Sequence, residues 1–132
     1  MKLKTIKIIY WSVTILFCLA NLFSGISGFF QNQQGLDVMK HLGYPAYLLL
    51  ILGVAKTLGS VVVVQTKFRT IKEWAYAGFA IDYIGASASH LITGDAFSAL
   101  FPIIFLAVMF ISYFFWKKVE QIKNGIKKRV AR

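Results

Sequence analysis

Three side chains carry the chemistry available to this chain: Asp82, Lys56 and His90. Asp82 stands inside EWAYAGFAIDYIGASASHLITGD, Glu73 to Asp95, where an apolar helix would exclude an ionised group unless protein, water or an opposite charge receives it. Lys56 interrupts YLLLILGVAKTLGSVVVV in the same way, with snorkelling of its long stem as the alternative. His90 follows Asp82 by eight residues, about two helical turns, and so falls on roughly the same side. In one site, Asp82 or His90 could handle a proton while Lys56 stabilises negative charge. The same groups could instead orient the polar head of a ligand in an apolar cavity. Small residues accompany them. Gly53, Lys56 and Ser60 share one helical face, and Gly78, Asp82, Gly85 and Ser89 recur at four, three and four residues on another, which would let a neighbouring helix approach.

These residues must be positioned by helices within a membrane. Of the 132 residues, 58% are hydrophobic and 15% charged, a balance that fits an embedded bundle better than a water-soluble domain. Four apolar runs predict an all-α, four-helix transmembrane bundle in a single domain, with spans at about 8–30, 44–65, 74–92 and 97–116 and a basic tail at 117–132. The first run lacks a small-residue cleavage site at Phe29-Phe30 and reads as a retained span. Its Asn21, Ser24, Gly25 and Gly28 form a face suited to helix packing. Gln31 to Gly43 reads as a polar loop, Tyr44-Pro45 as the start of the second span, and Thr93 to Asp95 as an outer turn or cap. Pro102 is expected in the first turns of the fourth span or at a local bend. In the tail, Val119, Ile122, Ile126 and Val130 recur at helical spacing, whereas Gly125 weakens the pattern. The tail therefore fits either a short amphipathic helix on the membrane or a mobile cationic segment.

Charge distribution orients the bundle. The formal charge is +10, but the cations gather at the ends and in one connection, which points to anionic lipid headgroups and away from nucleic acid. Lys2, Lys4 and Lys7, then Lys67, Arg69 and Lys72, and finally seven tail cations all fall on one side of a four-span chain. The positive-inside rule makes both termini cytoplasmic, with Trp74, Trp116, Tyr44 and Tyr10 as interfacial anchors. Lys56 then precedes Lys67 by eleven residues and Asp82 follows Glu73 by nine, so both lie about 15 Å from the cytoplasmic boundary and can form an ion pair. His90 is about 12 Å of helix rise further out, within reach of His41, Asp95 or Ser89. Glu73 has the position of a cap for the third span or a partner for Arg69 or Lys72. Cys18 is the only cysteine, so it can build neither a disulfide nor a dithiol redox pair, and His41 and His90 lack metal-ligand spacing.

With these residues in view, the chain resembles the DoxX-like family of small multipass membrane proteins. The resemblance covers most of Tyr44 to Trp116 and is most specific in EWAYAGFAIDYIGASASH followed by Gly94-Asp95, with GVAKTLG, Gly53 to Gly59, as a second element. It carries over Gly53, Lys56, Glu73, Trp74, Asp82, Gly85, Ser89, His90 and Asp95. It also implies a four-helix membrane protein associated with quinone-linked or thiol redox systems. The lone Cys18 departs from a self-sufficient dithiol enzyme, so a redox role would need a bound quinone, another cofactor or a partner protein.

The leading expectation is an accessory or ligand-binding protein of the bacterial cytoplasmic (inner) membrane, holding a quinone or lipid at Lys56, Asp82, Gly53, Gly85, Ser89 and His90. Glu73, Trp74 and Asp95 are expected to act structurally at the interfaces. Its partners would be membrane lipids and either a redox protein or further copies of itself. The alternatives are a small membrane enzyme acting on a lipid-like or quinone substrate, with Asp82, His90 and Lys56 as catalytic candidates, an oligomeric transporter or channel subunit, and a purely structural bundle.

Overall fold

A computed structural model describes residues 2–131, and among them the chain forms five α-helices and no strand. They are α1 (Leu3–Phe29), α2 (Gln33–Leu42), α3 (Tyr47–Val64), α4 (Arg69–Ile92) and α5 (Ala96–Ala131). Helices α1, α3 and α5 are long and apolar enough to cross a membrane by length and composition. Helix α4 has comparable length at 24 residues, but its charged first turn and Asp82 dilute its hydropathy.

Helix α1 packs on α3 and α5, while α4 packs on α5 and more loosely on α3, so the four long helices close a ring. Across that ring α1 and α4 face each other diagonally and meet through long side chains, with Phe17 edge-on to the ring of Phe79 and Tyr83 bonded to Asn21. The pairs Asn21–Tyr83 and Tyr10–Lys72 run in step, making α1 and α4 parallel. Tyr76–Ser112 with Tyr83–Phe105 shows α4 and α5 antiparallel, and Lys56–Asp82 with Gly59–Phe79 shows the same of α3 and α4.

The tightest crossing belongs to α1 and α3. A Cβ added to Gly53 would lie 2.6 Å from both the Gly25 carbonyl oxygen and the Phe29 nitrogen, so only glycine permits this backbone approach. Gly25 and Gly28 of the small face are thus buried at this crossing, as their spacing predicts, whereas Ser24 of the same face is exposed.

Polar side chains share the interior with the aromatic and aliphatic core. Thr14 and Ser112, both fully buried, share a 2.6 Å hydrogen bond, and Tyr76 joins Ser112 at 2.7 Å. Outside, Leu16, Phe23, Ile81 and Phe97 are each about 70% exposed or more. This inversion suits hydrocarbon, where buried polar groups must pair and an apolar exterior costs nothing.

Two expectations are corrected. The segment read as a polar loop contains α2, an amphipathic helix closed by Gly43 in the left-handed conformation at φ 80°. The tail is neither a separate surface helix nor a mobile segment, because α5 continues unbroken through it to Ala131. Val119 is buried in the core cluster, so the helix still packs about one turn beyond Trp116. Arg132, counted among the tail cations, lies outside the described residues. Pro102 sits inside α5 near its start.

Candidate functional site

Helices α3 and α4 bring Lys56 and Asp82 together, with Nζ and Oδ2 3.7 Å apart and both side chains largely buried. The charges that each helix could not hold alone therefore face one another. Lys56 Nζ also lies 3.5 Å from Ser24 Oγ on α1. The separation from Asp82 exceeds that of a tight charge-assisted hydrogen bond, and Lys56 keeps donors for another group.

Between Lys56 and His90 is a cavity of about 350 Å³. Its polar lining comes from Asn21, Ser24, Lys56, Tyr83 and His90, and its apolar wall includes Phe101 and Phe105. Helix α2 contributes Gln34 and Val38 from the segment expected to be a loop. Within it the Asn21 amide donates to the Phe17 carbonyl at 2.8 Å and its oxygen accepts from the Tyr83 hydroxyl. His90 differs from these satisfied groups, because its Nδ1 is buried and has no hydrogen-bond partner. An orphaned ring nitrogen beside a cavity is a place where a ligand can restore a bond.

A second cavity, of about 290 Å³, opens between α3 and α4. It is lined by Leu52, Ala55, Gly59, Gly78 and Ile81 together with Lys56 and Asp82. Lys56 thus borders both spaces, one polar and one almost wholly apolar.

The other singled-out residues separate into distinct places. Gly53 lies in the α1–α3 crossing and Gly85 faces open space with no atom within 4 Å of an added Cβ, so neither lines either cavity. The small face of α4 is therefore not a helix-packing face at Gly78 or Gly85, where an added Cβ meets nothing. Ser89 bonds to the Tyr44 hydroxyl at 2.5 Å, and His41 approaches Asp95 at 4.0 Å, so His90 takes none of the partners expected for it. Asp95 caps α5: its Oδ1 accepts from the Ser98 N–H at 3.1 Å, and bonding to the Ser98 hydroxyl and N–H holds its carboxyl below the usual range. Glu73 lies 3.6 Å from Arg69, pairs more closely with Lys117, and is held below the usual carboxylate range by that Lys117 contact. Lys72 instead donates to Tyr10. Trp74 is 70% exposed on the outer surface.

Tyr83 is a cavity residue that the sequence did not single out. Its signal is the seven-residue spacing to His90, which puts both on one face of α4.

No curated protein and no solved structure shows significant similarity to the chain. A model of the DoxX-like family matches residues 12–112, a stretch that contains the ion pair, both cavities and every residue named for them. The chain belongs to the DoxX-like family, and with its long apolar helices it is a membrane protein.

Proposed function

We propose that this protein is a four-span, ligand-binding accessory protein of the bacterial cytoplasmic membrane, with both termini cytoplasmic, that holds the polar head of a quinone or lipid between its helices. The observation that carries the reading is a cavity that presents Lys56 together with the His90 ring, whose buried Nδ1 has no hydrogen-bond partner. The donor set suits a carbonyl or hydroxyl head: Lys56 offers N–H donors, and His90 Nδ1 can accept or donate according to its tautomer. The apolar space between α3 and α4, which Lys56 also borders, suits an isoprenoid or acyl tail. Asp82 orients Lys56, and α2 borders the cavity. When bound, a quinone would supply the redox chemistry that the lone Cys18 cannot. The residues of the chain bind and orient its head and exclude water.

Helix α4 is the span this reading adds to the three helices that are apolar enough by themselves. Its support is Asp82: paired with Lys56, the acid no longer presents a bare charge to hydrocarbon. Native mass spectrometry of protein purified in mild detergent tests the ligand. A reproducible isoprenoid or lipid adduct is expected, depleted several-fold in Lys56→Met and His90→Phe. Absence of any retained small molecule from folded wild-type protein would remove the proposal.

A further inference from the structure

A recess larger than the cavity beside His90 lies elsewhere in the molecule. At the other end of the bundle, where α1 and α4 begin and α5 extends past Trp116, a recess of about 600 Å³ gathers Lys7, Arg69, Lys72, Lys123 and Lys127 from three helices. Glu120 is the one carboxylate in its lining. Arg69 already occupies it, with Nε 2.9 and 3.0 Å from the two carboxylate oxygens. Among the described residues, Lys7, Lys72, Lys123 and Lys127 have no carboxylate within 4.0 Å. The recess therefore concentrates positive charge without neutralising it.

Lys72 is the most demanding of the set. It is 2% exposed, donates to the Tyr10 hydroxyl, and lies 4.9 Å from the Tyr10 ring and 4.8 Å from the Trp116 ring. Two aromatic faces and one hydroxyl hold a cation in place but leave its charge uncompensated. Burial pushes this first-turn lysine down to about 8. The N-terminus of α4 has no side-chain cap, and its residues Arg69 and Lys72 line the recess. Its free backbone N–H groups add to the positive field. Tyr10, Trp11 and Trp116 give the recess the amphipathic rings that favour the headgroup level of a bilayer. Scattered lysines would satisfy the positive-inside rule equally well. Burying one of them in a roomy recess contributes nothing to topology.

We infer that the recess bounded by Lys7, Arg69, Lys72, Lys123 and Lys127 is a binding site for a phosphate group, carried either by the headgroup of an anionic lipid or by a free phosphate. The buried Lys72 forms its floor and the tail lysines of α5 close over it. The continuous α5 is then part of a binding site, since the helix carries Lys123 and Lys127 to the recess.

The test uses the full chain in neutral detergent, titrated with phosphatidylglycerol, phosphatidylcholine or inorganic phosphate, with bound species counted by native mass spectrometry. Lys123→Gln/Lys127→Gln removes two exposed lining charges, and Lys118→Gln/Lys128→Gln removes two exposed charges outside the lining. Phosphatidylglycerol is expected to bind about tenfold more tightly than phosphatidylcholine, and the first variant to lose that preference while the second keeps it. Displacement of the lipid by millimolar inorganic phosphate would assign the site to phosphate alone. Retention against it would assign the site to the lipid headgroup. Equal losses in the two variants, or no preference for phosphatidylglycerol in the wild type, would overturn the inference.

Discussion

Neutralising both members of the Lys56–Asp82 pair is expected to cost less than the sum of the two single effects. At 3.7 Å and an effective dielectric near 20, the gross attraction is about 4 kcal/mol. Side-chain exposures of 23% and 19% keep the pair between two limits: an exposed pair is worth under about 1 kcal/mol, whereas breaking a fully buried one costs about 3–5 kcal/mol. Lys56→Met and Asp82→Asn are each expected to destabilise by about 2–3 kcal/mol, because each leaves a charge stranded at helix depth. The double variant should fall short of their sum by about 2 kcal/mol, a factor of roughly 30 in the unfolding equilibrium. Equilibrium unfolding in mixed micelles, followed by tryptophan fluorescence, measures all four corners of the cycle. Additivity within about 0.5 kcal/mol would refute direct coupling and would return Lys56 to snorkelling along α3. Exchanging the two residues, Lys56→Asp with Asp82→Lys, should recover part of the loss.

Glycine substitutions should separate the packing glycine from the open one. Gly53→Ala is expected to cost about 1–3 kcal/mol in the same unfolding assay, since its Cβ meets backbone at 2.6 Å that cannot rotate away. Gly85→Ala, with nothing within 4 Å, should be neutral or stabilise by up to about 1 kcal/mol through helix propensity, and a marked loss would mean that its face is covered by something. The Asp95 cap predicts a pH signature. Its depressed carboxyl contributes stability above the ordinary aspartate value near 3.9, and that contribution disappears as pH falls through the lower folded value. Stability curves of wild type and Asp95→Ala should therefore converge in acid, and a gap that stays constant across that range would assign the effect to something other than ionisation.

Composition, periodicity and charge position alone determined the all-helical class, the apolar runs and the register at which Lys56 and Asp82 meet. Those properties are local or additive: apolar length, charge position and a rise of about 1.5 Å per residue need no knowledge of helix neighbours. The tail and α2 escaped the same reasoning because their helices depend on tertiary partners. Buried Val119 carries α5 past Trp116, and Gly35 of α2 packs beside Leu49 of α3. Which glycine packs and which stands open was likewise undecidable from spacing, since Gly53 and Gly85 look alike until a second helix approaches one of them. His90 was legible as a residue capable of proton exchange, but its orphaned nitrogen was not, because a hydrogen bond is lost or made only against groups from other helices. The convergence of Lys7, Lys72 and Lys127 on one recess is of the same kind: sequence placed them on one side of the bundle, and only the packing of α1, α4 and α5 turned a shared side into a shared site.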